Sequence, residues 1–266
     1  VDSAKWTQYA DAHRWPLSWL YRREGERLLA YERAVAAQSQ RSFFVTESET
    51  ALFRRLAPEA AASVESMSNG VDSEFFAPDA TRASPFEAGE IPVVFTGAMD
   101  YWPNVDAVSW FVGEMLPILR RQWPTLRFHI VGRSPTPTVL ALAGDAVNVT
   151  GTVPDVRPYL QHAAVVVAPL RLARGIQNKV LEAMAMGRPV VASRQCVGPI
   201  DVLEGSDLLA ADSAESFVDC VDTLLRSAAR AAAIGSAGRE RVLHQYSWGA
   251  HLAGIDRHLN RERAPA

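Results

Sequence analysis

The chain has 266 residues, of which 48% are hydrophobic and 21% charged, the balance of a soluble globular protein. A net charge of -3 excludes a general basic field for nucleic acid or anionic lipid. Two cysteines, Cys196 and Cys220, are too few for a disulfide framework and fit a reducing compartment, and no apolar run is long enough to cross a bilayer.

The first segment, 5–38, reads as helix with a break at Pro16, because Leu17, Leu20, Leu28, Tyr31 and Val35 recur at helical spacing. A short strand over 42–45, a helix over 47–56 and a strand within 62–67 follow. Ser68-Asn69-Gly70-Val71-Asp72 is a turn signal, and the polar, proline-containing stretch to about Gly89 reads as an interdomain linker. Beyond it the pattern becomes regular. Apolar strands are expected at 92–97, 126–132, 147–151, 164–169, 188–193 and 208–210. Helices are expected from Pro103, over 177–186, and from about residue 217 onward. Continuous apolar strands alternating with helices predict an α/β fold, with a parallel sheet covered by helices on both faces. The first three strands close with Gly97, Gly132 and Gly151 and the fourth with Pro169. In an open parallel sheet those ends share one edge, where ligands bind, and glycine lets backbone approach a ligand closely.

The densest chemistry lies in 171–191, which leaves a strand, passes a glycine loop at Gly175 and enters a helix. The first amides of that helix lack intrahelical partners, and its dipole adds partial positive charge. Arg171, Arg174 and Lys179 add full charges, so this terminus suits a phosphate or diphosphate. Glu182, one turn in, can accept two hydrogen bonds from a sugar diol such as ribose. The bland alternative is an exposed Lys179–Glu182 pair. Lys5 and Lys179 are the chain's two lysines, every other basic residue being arginine, and a compact ammonium suits a crowded diphosphate oxygen.

Four stretches carry a resemblance. Leu181-Glu182-Ala183-Met184-Ala185-Met186-Gly187-Arg188-Pro189-Val190-Val191 resembles the helix-and-strand motif of glycosyltransferase family 4, retaining enzymes of GT-B fold. Residues 97–106 resemble the opening loop of that family's donor domain, residues 149–155 its base-binding strand and loop, and residues 69–78 its interdomain linker. The beginning, Asp2-Ser3-Ala4-Lys5-Trp6, is similar to a segment midway through the acceptor domain of the exopolysaccharide (PEP-CTERM-associated) branch, so the chain is expected to be a piece of a longer protein.

The resemblance implies an acceptor-domain remnant over 1–78, a linker over 79–89, a Rossmann-like donor domain over 90–246 and a helix over 247–266 crossing back to the acceptor domain. It places the ribose on Glu182, backbone contacts to sugar and diphosphate at Gly175, Ile176 and Gln177, base contacts at Val153, diphosphate approach at Gly97 and a sugar contact at Asn104. Arg133 is counted with the same donor-binding set. Two departures stand out: Arg174 occupies the position of the first glutamate of the family's pair, and Ala98 and Pro103 replace its arginine–lysine clamp. Asn178 and Lys179, with Arg171 or Arg174, are the candidates to replace that clamp.

The implied reaction is metal-independent transfer, with retention, from a nucleotide diphosphate sugar to a glycan or polyprenyl-linked acceptor. No cofactor is implied. The setting would be exopolysaccharide assembly in the cytoplasm, with the full-length enzyme peripheral to the inner membrane. Acceptor-side catalytic residues cannot be assigned, and the fragment is expected to bind donor without transferring. A GT-B nucleotide-sugar epimerase and a non-catalytic nucleotide-sugar-binding module stay open as alternatives. His244, His251 and His258, seven apart, are read as a solvated face, and His129 and His162 as structural. No dinucleotide or phosphate-loop fingerprint follows any strand.

Overall fold

The computed structural model describes residues 1–67, 69–173, 175–250 and 252, without the side chains of Lys5, Gln8 and Ala12. It divides into two compact units, residues 1–69 and 70–266.

In the first unit, α1 (Asp2–Ala12) and α2 (Leu17–Gln38) precede β1 (Ser42–Phe44), α3 (Glu47–Leu56) and β2 (Val64–Ser66). β1 and β2 pair in parallel, Ser42 opposite Val64. Thr46 caps α3 by accepting a hydrogen bond from the Glu49 amide at 3.2 Å. A small core forms from Ala36, Phe53, Ala57, Ala60 and Val64. The periodicity of α2 located the helix but not a buried face: Leu17, Leu20, Tyr31 and Val35 are all exposed.

The second unit begins with the stretch read as a linker, and that stretch is bound to this unit. The Val71 amide donates to Tyr246 O at 2.7 Å. Asp79 and Gln161 exchange two bonds, from the Asp79 amide to Oε1 and from Nε2 to Asp79 O. His162 Nε2 meets Arg82 O at 2.7 Å. Phe86 packs against His129, with ring centroids 4.6 Å apart and the rings tilted at 55°. His129 Nε2 in turn lies 3.0 Å from Glu90 Oε1, and burial pushes the imidazole down to about 4. His129 and His162 are therefore structural, as expected. The break between units falls at Asn69–Gly70, ahead of the stretch expected to separate them.

The sheet carries β3 (Ile91–Thr96), β4 (Leu126–Val131), β5 (Val147–Gly151), β6 (Val165–Ala168), β7 (Val190–Ser193) and β8 (Leu209–Ala211). All neighbours are parallel and the order is β5-β4-β3-β6-β7-β8. Strand order reverses at β3, which pairs with β4 on one side and β6 on the other. Val93, Val94 and Phe95 are fully buried, as an apolar run covered on both faces requires.

Helices α4 (Trp102–Trp110), α5 (Leu116–Gln122), α6 (Pro137–Leu140), α7 (Arg157–His162), α8 (Asn178–Ala185), α9 (Arg194–Val197), α10 (Ala214–Arg226) and α11 (Ala228–Gln245) connect and cover the strands. The single helix expected after Pro103 is interrupted by a π-helical turn over Phe111–Met115. Pro117, which has no N–H to give to Gly113, sits just beyond it. A Ser213–Ser216 capping box starts α10. The expected terminal helix over 247–266 lies almost wholly outside the described residues.

Candidate functional site

A cavity of about 650 Å³ opens at the carboxyl ends of β3, β4 and β5, against the first turn of α8. This is the edge where strand order reverses, the position at which open α/β sheets bind ligands.

Two glycines shape its floor. Gly97 and Gly132 have φ of 156° and 155°, backbone that other residues rarely adopt. A Cβ on Gly132 would lie 1.7 Å from Gly97 O, and one on Gly97 would meet Asn104 Nδ2 at 2.7 Å and Lys179 Nζ at 2.9 Å. The loop after β3 is tied to the loop after β4. The Gly97 amide donates to Val131 O at 3.0 Å and the Met99 amide to Arg133 O at 2.8 Å. Asn104 Nδ2 donates to Ala98 O at 2.9 Å, which closes the loop onto the start of α4.

The opposite wall is α8. Lys179 Nζ donates to Asn104 Oδ1 at 2.6 Å and stands 4.1 Å from the centroid of the Phe95 ring. Neither contact neutralises the ammonium. Burial pushes Lys179 down to about 7, against partial opposition from Cys196 and Glu182. Burial pushes the Glu182 carboxyl up, with Lys179 holding it back. The cavity thus presents a cation whose direct contacts, Asn104 and Phe95, are neutral, a carboxyl one turn deeper, and glycine backbone in the same lining. An anion at Lys179 would restore the charge balance that burial has disturbed. Thr96 adds a buried hydroxyl with no hydrogen-bond partner to the same lining.

Of the residues singled out from sequence, Gly97, Asn104, Arg133, Val153, Asn178, Lys179 and Glu182 all line this cavity. Gly175, Ile176 and Gln177 lie outside that lining. Gly175 turns the chain at φ 64°, Ile176 is buried, and Gln177 Nε2 donates to Gly175 O at 3.4 Å. Arg174 falls outside the described residues. Arg171, a candidate for the substitute clamp, is committed elsewhere: its Nε donates to Asp106 Oδ2 at 2.9 Å and its guanidinium lies 5.4 Å from the Trp110 ring. The exposed Lys179–Glu182 pair of the alternative reading does not occur, since both side chains face the cavity. Thr96, Gly132, Thr152 and Val156 line it too. Gly132 carried the strand-end signal, and Thr152 and Val156 flank Val153, whereas nothing in the sequence marked the Thr96 hydroxyl. Among the described residues no group of three or more His, Cys, Asp or Glu side chains could hold a metal ion.

The family model for glycosyl transferases group 1 matches residues 90–227, the segment that builds this cavity. The chain belongs to that family.

The chain is 32% identical, over 218 residues, to the GDP-mannose-dependent alpha-(1-6)-phosphatidylinositol monomannoside mannosyltransferase of Mycolicibacterium smegmatis, covering 73% of this chain and 56% of the relative. It therefore spans about half the length of the curated relatives it matches. Its fold is similar to that of sucrose-phosphate synthase from Thermosynechococcus elongatus, with a TM-score of 0.70 at 23% identity over 91% of this chain and 63% of the other. It is also similar to Anabaena HepE in complex with UDP and glucose, with a TM-score of 0.69 at 15% identity over 87% and 66% of the two chains. These likenesses establish a GT-B-type α/β unit.

Proposed function

We propose that the second unit binds a nucleoside diphosphate sugar, with the diphosphate over the start of α8 and the ribose on Glu182. One observation carries this reading: Lys179, an ammonium without a carboxylate partner in salt-bridge range among the described residues, faces a glycine-floored cavity at the switch point of the sheet. Asn104 orients Lys179 and Phe95 limits its movement, so the charge is placed before the ligand arrives. That preorganisation is what a leaving diphosphate requires. The substitute clamp is then Lys179 with Asn178, without Arg171.

The family membership supports reading the intact protein as a glycosyltransferase, and in this reading the transfer is retaining and metal-independent. The 32% identity to a GDP-mannose-dependent relative, against 15% to a UDP-bound structure, favours a guanosine donor carrying mannose. The acceptor would be a glycan or lipid-linked glycan, in extracellular polysaccharide assembly. This chain, half the length of its relatives, is expected to bind donor without transferring it. Calorimetric titration with GDP-mannose and UDP-glucose, followed by product analysis with a polyprenyl-linked acceptor, tests the reading. Failure of both nucleotides to bind would overturn it, and robust transfer by this chain would overturn the expectation of inactivity.

A further inference from the structure

A second cavity, of about 510 Å³, lies at the opposite edge of the same sheet. It is lined by the residues that lead into β6 and β7 and by the start of α11. Two arginines face it, Arg188 from the turn between α8 and β7 and Arg239 from α11, and no acidic residue shares the lining.

Burial without a carboxylate partner separates these two side chains from the ion-paired arginines. Arg33 sits against Glu59, Arg157 against Asp155, Arg194 against Glu204 and Asp212, and Arg226 against Asp222. No carboxylate of the described residues reaches salt-bridge distance of Arg188 or Arg239. Arg239 Nη1 donates to Ala185 O, which satisfies part of one fork. Arg188 Nε is buried and has no hydrogen-bond partner. Burial alone pushes both guanidinium groups below the usual arginine range, with no acid opposing it. A desolvated cation without a counter-charge is a cost that folded proteins ordinarily relieve by pairing.

We propose that this cavity is a second anion site, which takes the phosphate group of a small phosphorylated molecule between Arg188 and Arg239. Planar guanidinium forks match phosphate oxygens bidentately. The cavity is larger than a bare phosphate, and Leu225, Ala228 and Ala231 give an apolar surface for the carbon part of an ester. The site is independent of the donor reading, since the two cavities share no lining residue.

The test is a titration of the 15N-labelled chain with inorganic phosphate. The Arg188 Nε–H signal and the Gly187 and Ala228 amides report this site, and the Gly97 and Asn178 amides report the donor cavity. Saturable shifts of the first set are expected, with affinity weakened at least tenfold in R188Q and in R239Q. Because Arg239 also supports Ala185, R239Q can fail to fold, and R188Q then carries the test alone. Absence of saturable shifts near Arg188, or unchanged shifts in R188Q, would overturn the proposal. Co-sedimentation with phosphatidic acid vesicles supplies the second arm. Arg188-dependent binding to vesicles without any response to free phosphate would equally overturn a site for a small soluble ester.

Discussion

Lys179 and Asn104, 75 positions apart in the chain, meet at 2.6 Å, so the first loop after β3 and the first turn of α8 are held as one surface. The contact leaves the lysine charge uncompensated, because the asparagine supplies an acceptor and no counter-ion. Asn104 Nδ2 is itself committed to Ala98 O, which fixes the orientation of the amide and hence of the ammonium. On the proposed reading, affinity for a diphosphate depends on one positioned charge, where the family's usual clamp would have used two.

Replacing Lys179 with alanine is expected to weaken GDP-mannose binding by about 1.5–3 kcal/mol, the range for a hydrogen bond to a charged group, or roughly 10- to 150-fold in Kd by calorimetry. Lys179→Arg is not expected to restore it, because a longer, planar guanidinium does not reproduce the placement of the ammonium 2.6 Å from Asn104 Oδ1 and 4.1 Å from the Phe95 ring centroid. Unchanged affinity in K179A would remove the lysine from the donor site.

The same residue sets a pH dependence. Below about 7 the free protein already carries the Lys179 proton, and a bound diphosphate holds it there to higher pH. Binding is therefore strongest below pH 7 and weakens as pH rises through and above it, by at most tenfold per pH unit, with proton uptake visible in buffers of different ionisation enthalpy. In the free protein the folded pKa lies below the unfolded one, near 10.5. The unfolded state then holds more protons between these values, and stability rises with pH across that window. K179M is expected to flatten both profiles and to raise the melting temperature of the free protein at pH 6. A K179M profile with the slope of the parent would contradict this.

Gly132→Ala and Gly97→Ala are expected to differ in kind. At Gly132 the new methyl would collide with the backbone oxygen of Gly97, which cannot move without breaking the loop. Strain and clash together predict a loss of about 3 kcal/mol or more, seen as a lowered urea midpoint. At Gly97 the methyl would meet the tips of Asn104 and Lys179, which can swing away. That variant is expected to stay more stable than G132A, yet to lose donor affinity at least tenfold, because the displaced tips are the binding groups.

Glu182→Gln keeps the shape of the side chain and removes the capacity of a carboxylate to accept two strong hydrogen bonds from a diol. Affinity for GDP-mannose is expected to fall roughly tenfold, about 1.4 kcal/mol. The loss is expected to vanish for the 2′,3′-dideoxyribose analogue. An equal loss for the analogue would place the ribose elsewhere.

The sheet was legible because its strands are continuous apolar runs and their ends are marked by glycine; Val93, Val94 and Phe95 leave little alternative to a doubly covered strand. The donor edge followed from the ends at Gly97, Gly132 and Gly151 and from the lone lysine of the helix. The pairing of Arg171 with Asp106 was not legible, because proximity in sequence to a helix start does not reveal a partner 65 positions away. The polar stretch after the 68–72 turn, to about Gly89, read as a linker, since nothing local announces that Asp79 and Gln161 will exchange hydrogen bonds 82 positions apart. The exposed face of α2 shows the same limit: helical spacing reports the period of a pattern and not what covers it.

The position of β3 between β4 and β6 has a consequence for folding. Gly97, Gly132 and Val153 follow β3, β4 and β5, which associate with near neighbours in the chain. Lys179 and Glu182 stand beside them only when β6 is paired on the far side of β3, a pairing of Val93 with Val165 that closes a long loop. A sheet lacking that pairing therefore has no complete pocket, and on the proposed reading occupancy by nucleotide rewards the most distant strand pairing of that half. Ligand added during refolding should act as a latch on the finished topology, binding only chain in which β3 and β6 are already paired.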